Sequence, residues 1–115
     1  MATFRLLQVE RIDDVIIVRF VNTDVMDSAH AQQLTQELFE VITPGVRMVL
    51  NFSDVKYLSS MALSTLINLH KRVKSAGGIL KLSNVSDPLC DVLEITNLHK
   101  ILEVYPSEPA AVAAF

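Results

Sequence analysis

Two adjacent serines, Ser59 and Ser60, carry the most chemical promise in this sequence. They lie in the stretch Ser53-Asp54-Val55-Lys56-Tyr57-Leu58-Ser59-Ser60-Met61-Ala62-Leu63, between a buried apolar run and a helical period. A helix that begins here needs one hydroxyl to accept a bond from an orphan first-turn amide, and Ser59 suits that cap. It does not need Ser60 as well. The positive end of the helix dipole and its exposed amides would stabilise a phosphate added at this place. Ser60 is therefore a candidate phosphoacceptor, set against the plainer reading in which one of the two serines is just an N-cap.

The other reactive side chains do not assemble into a catalytic set. His30 and His70 fall on different helical stretches, and His99 precedes a strand. No pair has the short helical spacing of a zinc site, and one cysteine cannot complete one, so no metal is expected. Neither kind of Gly-rich phosphate cradle occurs, nor a Gly-x-Ser-x-Gly elbow, and no cofactor is expected. Cys90, between Leu89 and Asp91, falls in the first turns of a helix, where the terminus can lower a thiol pKa; the alternative is a plain packing cysteine. A nucleophilic enzyme built on Ser60 or Cys90 lacks a convincing base, so the expectation is that the chain is not an enzyme.

The elements that must hold these residues follow from hydrophobic periodicity. Arg5 to Val9 and Val15 to Phe20 are short strands, with Arg11-Ile12-Asp13-Asp14 as the hairpin turn between them. Ala31, Leu34, Leu38, Val41 and Ile42 form a helical stripe, capped by Asp27 or Ser28 and stopped by Pro44-Gly45. Met48 to Phe52 reads as a central parallel strand buried on both faces. A second helix runs from about Met61 to Ser75 on the stripe Ala62, Leu66, Leu69 and Val73, and Gly77-Gly78 ends it. Ile79 to Ser83 is a fourth strand. Ser86 caps a third helix that admits Pro88 in its first turn and carries Leu89, Val92, Leu93 and Ile95 as its apolar face. Lys100 to Tyr105 is a fifth strand, and Ser107 caps a last helix from Glu108 to Phe115.

The order is β-β-α-β-α-β-α-β-α. Strands that alternate with helices need crossover connections, which makes a mixed, mostly parallel sheet of about five strands covered by helices. At 115 residues this is a single α/β domain spanning 1–115. Half of the residues are hydrophobic, which is ample for a core and excludes disorder. The formal net charge is -3, and the nearest thing to a basic run is Lys71-Arg72 with Lys74, so a nucleic-acid partner is not expected. No stretch approaches the length of a membrane-spanning helix and no signal peptide is visible, so no membrane is expected. A lone cysteine fits a reducing, cytoplasmic setting.

With the elements placed, the serine segment resembles the motif of the STAS-domain family, the anti-sigma factor antagonists. That motif is a strand, a polar stretch ending in valine-x-aromatic-apolar, then Asp/Ser-Ser-x-Gly/Ala-Leu. Leu50 to Leu63 follows it, with Val55-Lys56-Tyr57-Leu58 and Ser59-Ser60-Met61-Ala62-Leu63 at its core. The hairpin, Asp27, Gly77-Gly78, Ile79 to Leu82, Ser86 to Leu93 and Thr96 to Leu102 match the family's element order over nearly the whole chain.

The resemblance implies a regulatory module that binds an anti-sigma factor which is itself a serine kinase. The family's phosphorylated serine falls on Ser60, and Asp24, Asp27, Ser59, Ser60 and Met61 fall on its partner-binding surface. Phosphorylation by the kinase ends the interaction and a serine phosphatase restores it. A phosphate adds about -1.5 to -2 charges beside Asp27 and Asp54. A loss of roughly 3 kcal/mol on that account weakens binding about a hundredfold. Tyr57 and Leu58, with Met61, would supply apolar contact or belong to the core. Ser59 stands where many members have Asp, Ala62 where many have Gly, and 21–27 lacks the usual Gly-Glu/Asp dipeptide. The alternative is a constitutive STAS scaffold subunit of a signalling or transport assembly, without a phospho-switch.

Overall fold

The computed structural model describes residues 6–21 and 30–115. Among them the elements run β1 (Leu7–Ile12), β2 (Val15–Phe20), α1 (Ala31–Glu40), β3 (Arg47–Asn51), α2 (Ser60–Ser75), β4 (Ile79–Ser83), α3 (Asp87–Ile95), a 3₁₀ turn (Leu98–Lys100), β5 (Glu103–Tyr105) and α4 (Glu108–Ala113). The five strands lie in the sheet in their chain order, with β1 antiparallel to β2 and every later pair parallel.

That order fixes where the helices go. Three successive right-handed crossovers, each to the neighbouring strand, put α1, α2 and α3 on one face of the sheet. The main core lies beneath them: Val18 and Phe20 from β2, Met48 and Leu50 from β3, Leu80 and Leu82 from β4, against Leu34, Leu38, Leu66, Leu69 and Leu93. Phe20 and Phe52 meet edge to face at 5.5 Å. Among the described residues the opposite face has one helix. There Ala111 of α4 packs on Val15, Ile17 and Val49, with Tyr105, Val112 and Phe115 around them. Adjacent residues of β3 thus enter different layers, which is the two-sided burial expected of a central parallel strand.

Several boundaries differ from the sequence reading. Arg11 and Ile12 belong to β1, paired with Ile16 and Val15. The turn is Asp13-Asp14 alone, with Asp13 in the left-handed region at φ 54°, where a short polar side chain is tolerated. Lys100 to Leu102 is not strand: the Leu102 amide closes a helical turn on the Leu98 carbonyl at 2.9 Å, and β5 shrinks to Glu103–Tyr105. Ile95 is not on the buried face of α3 but 81% exposed. The position before α1 is His30, and Asp27 and Ser28, the expected caps, lie outside the described residues. Ser86 occupies the cap position of α3 without a side-chain bond. Ser107 does cap α4, accepting the Ala110 amide at 3.2 Å, and that helix ends at Ala113.

The junction of α2 and β4 is tightly specified. Gly77 takes φ 77°, and the Gly78 and Gly77 amides bond the Val73 and Lys74 carbonyls at 2.9 and 3.0 Å. This is the paired C-terminal motif that needs a left-handed residue just past the helix. A Cβ on Gly78 would stand 2.3 Å from the Val46 carbonyl oxygen. That oxygen also accepts the Ile79 amide at 2.8 Å, starting the β3–β4 ladder.

Candidate functional site

The serine segment leaves the carboxyl end of β3, a central strand of a parallel sheet, which is where such sheets carry their working loops. Two apolar anchors hold it. Phe52 is buried and donates its amide to the Ser83 carbonyl at 2.9 Å; Val55 is buried and closes a turn on the Phe52 carbonyl at 3.0 Å. Leu58 packs against the main core, so it is a structural residue. Tyr57, in contrast, is 47% exposed.

The chain then enters α2, and the two serines part. Ser59 is the N-cap, extended at φ -74° and ψ 164°, and its Oγ accepts the Ala62 amide at 3.1 Å. Its carbonyl accepts the Leu63 amide at 3.0 Å. Ser60 is the first residue of the helix and is exposed, and its hydroxyl bonds no described residue. Its neighbour Met61 is 54% exposed. Ala62, one residue on, is fully buried against the core. The first turn therefore divides cleanly into a capping serine, an exposed serine, an exposed thioether and a buried methyl group.

A shallow groove between α1 and α2 opens beside Ser60. Gln32 and Thr35 line one wall, and Met61, Ser64 and Asn68 the other. Its floor is tied by the Thr35 and Thr65 hydroxyls, 2.9 Å apart. Buried Glu37 anchors the same helix to the sheet, accepting the Leu6 amide at 2.8 Å and the Gln33 side-chain amide at 2.7 Å. Of the residues that the sequence assigned to a partner surface, Ser59, Ser60 and Met61 are contiguous. Asp24 and Asp27 lie outside the described residues. Asp54, exposed, is on the loop that leads to Ser59.

The Cys90 thiol is pushed up rather than down: burial acts first, and the nearby carboxylates of Asp87, Asp91 and Glu94 add to it. Its sulfur lies 3.7 Å from the Val85 carbonyl. A thiol held protonated in this way is a packing group. Among the described residues no cluster of three or more His, Cys, Asp or Glu could hold a metal ion. None of the described helices is long and apolar enough to cross a membrane.

The sequence reading missed one polar cluster. Asn51, the last residue of β3, carries its side chain to the α4 face and bonds both the serine loop and Glu108 of α4. A polar residue among the apolar ones of the Met48 to Phe52 run was its visible mark. Its partner, 57 positions away, was not legible.

The STAS domain family model matches residues 7–111. The chain belongs to the STAS domain family. It is 32% identical over 110 residues to BtrV, a candidate anti-sigma factor antagonist of Bordetella bronchiseptica, covering 95% of this chain and 93% of that protein. It is likewise 32% identical over 79 residues to the anti-sigma-B factor antagonist of Bacillus subtilis, covering 69% of this chain and 72% of the relative. The solution structure of TM1081 from Thermotoga maritima shares the fold, with a TM-score of 0.81 at 23% identity, over 98% of this STAS domain and 90% of that chain. The STAS domain thus has anti-sigma factor antagonists among its relatives.

Proposed function

We propose that this STAS domain is an anti-sigma factor antagonist switched by phosphorylation of Ser60. In its unmodified state it binds an anti-sigma factor that is itself a serine kinase. The kinase transfers phosphate to Ser60 and the complex comes apart; a serine phosphatase resets it. The lone thiol of Cys90 suits the reducing cytoplasm in which such a cycle would run.

The observation that carries this reading is the division of labour in the first turn of α2. Ser59 meets the capping requirement by itself, so the exposed Ser60 hydroxyl has no structural duty to give up. Phosphate at this position is well tolerated by the domain, because first-turn amides and the helix dipole favour an anion there. It is badly tolerated by a partner seated on Met61 and Tyr57, since the dianion must be desolvated next to apolar contacts. Modification therefore costs the complex and not the fold, as a reversible switch requires.

The test is incubation of the chain with each serine-kinase anti-sigma factor of its source organism and Mg-ATP, read by intact mass. The expected result is one added phosphate, absent in S60A, with binding lost in S60D. Binding that is indifferent to S60D would instead mark a constitutive STAS scaffold subunit.

A further inference from the structure

The loop that presents Ser60 is tied through the sheet to the C-terminal helix on its far side. The Asn51 Oδ1 atom accepts the Ser53 amide at 2.8 Å, closing the turn that starts the loop. The Asn51 amide nitrogen donates to Oε2 of Glu108, the first residue of α4. The same carboxylate takes a forked pair from Arg19, from Nε at 2.9 Å and Nη2 at 2.7 Å. Arg19 in turn reaches Glu10 at 2.8 Å. Arg19 and Asn51 are register partners on adjacent strands, so both side chains stand on the α4 face together.

Chemistry fixes the direction of this chain of bonds. A backbone N–H can only donate, and an ionised carboxylate can only accept. The Asn51 amide has one orientation that serves both: oxygen toward Ser53, nitrogen toward Glu108. Glu108 thereby favours the orientation in which the Ser53 turn keeps its acceptor. Among the described residues between β3 and α2, the side chains that hold the backbone by hydrogen bonds are Asn51 at one end and Ser59 at the other.

We infer that Asn51 and Glu108 are positioning residues for the switch serine, so that α4 governs how Ser60 is presented to its kinase. The inference rests on the phospho-switch reading for its consequence, but its geometry stands apart from it.

The test uses the full chain as N51D, E108Q and the double variant. N51D keeps an acceptor for Ser53 but sets a second carboxylate against Glu108. E108Q removes the charge that holds Arg19. The double variant keeps one carboxylate and one amide at the contact, with the donor and acceptor exchanged and the net charge unchanged. V112A, which loosens α4 through its apolar side, is the control for stability alone. Backbone amide exchange over 53–59 and kcat/KM for Ser60 phosphorylation are read in parallel.

Each single variant is expected to speed exchange and to lower kcat/KM about tenfold, the equivalent of about 1.4 kcal/mol and the scale of one hydrogen bond to a charged group. The double variant is expected to recover most of both, while V112A leaves both near wild type. Wild-type values in the single variants, no recovery in the double, or the same loss in V112A would each overturn the positioning role. Should the wild type take no phosphate at Ser60, the switch reading fails by itself, and exchange over 53–59 still decides the inference.

Discussion

Ser59→Ala is the perturbation that separates the two serines most cleanly. It deletes the oxygen that accepts the Ala62 amide at 3.1 Å and leaves every apolar contact of α2 in place. Loss of a serine cap costs about 1 kcal/mol. For a domain of this size that lowers the midpoint of thermal unfolding by about 4 °C. Ser60→Ala removes an exposed hydroxyl that bonds no described residue, so its effect stays within about 0.5 kcal/mol. Ser59→Asp retains an acceptor and adds a charge that the helix dipole favours, so it should match or slightly exceed the wild type. Urea unfolding of the three variants, followed by circular dichroism at constant m-value, reads the differences directly. A stable S59A beside a destabilised S60A would reverse the roles assigned to the two hydroxyls and remove the reason for placing the switch on Ser60.

Gly78→Ala is expected to cost about 2–3 kcal/mol by strain, because the new Cβ would meet the Val46 carbonyl at 2.3 Å, backbone against backbone; an unfolding midpoint equal to wild type would contradict this. Glu108 supplies a pH dependence. Burial raises its pKa, but the hydrogen bonds from Arg19 and Asn51 outweigh that and leave it below the usual glutamate value. A depressed folded pKa gives stability that is full above the unfolded value of about 4.3 and is lost as pH falls through the lower folded value. Stability measured from pH 6 down to pH 3 should therefore fall less steeply in E108Q than in wild type, and equal slopes would refute the coupling. Cys90, with its thiol pushed up by burial and acidic neighbours, should be alkylated at pH 7.5 more slowly in the folded chain than in urea; faster reaction when folded would contradict its assignment as a packing group.

The alternation of strands and helices was legible because periods of two and 3.6 residues are hard to confuse over long, strongly apolar stretches. β3, β4 and α2 are such stretches, and their ends lie within a residue or so of expectation. The errors fell where local chemistry is ambiguous. Arg11 and Ile12 sit next to two aspartates and look like turn, yet Asp13 alone absorbs the positive φ. Ile101 and Leu102 satisfy a short strand pattern, but Leu102 lies four residues after Leu98 and closes a helical turn on its carbonyl instead. Ile95 is apolar yet points away from the α3 stripe set by Leu89 and Leu93, and spacing from those two residues would have shown it. Of the candidate site, Ser59 and Ser60 could be found from their place before a helical stripe. The Asn51–Glu108 contact could not, since it joins the third strand to the last helix and only the folded sheet brings them together.

The most direct test of the switch compares one domain in two states. The anti-sigma kinase proposed as the partner is titrated against the unmodified protein and against protein stoichiometrically phosphorylated at Ser60, by calorimetry at one ionic strength. The expected result is a Kd about a hundredfold weaker for the phosphorylated form, corresponding to roughly 3 kcal/mol, with the thermal unfolding of the domain itself little changed. Equal affinities for the two forms would contradict it and leave a domain that binds its partner without regard to Ser60.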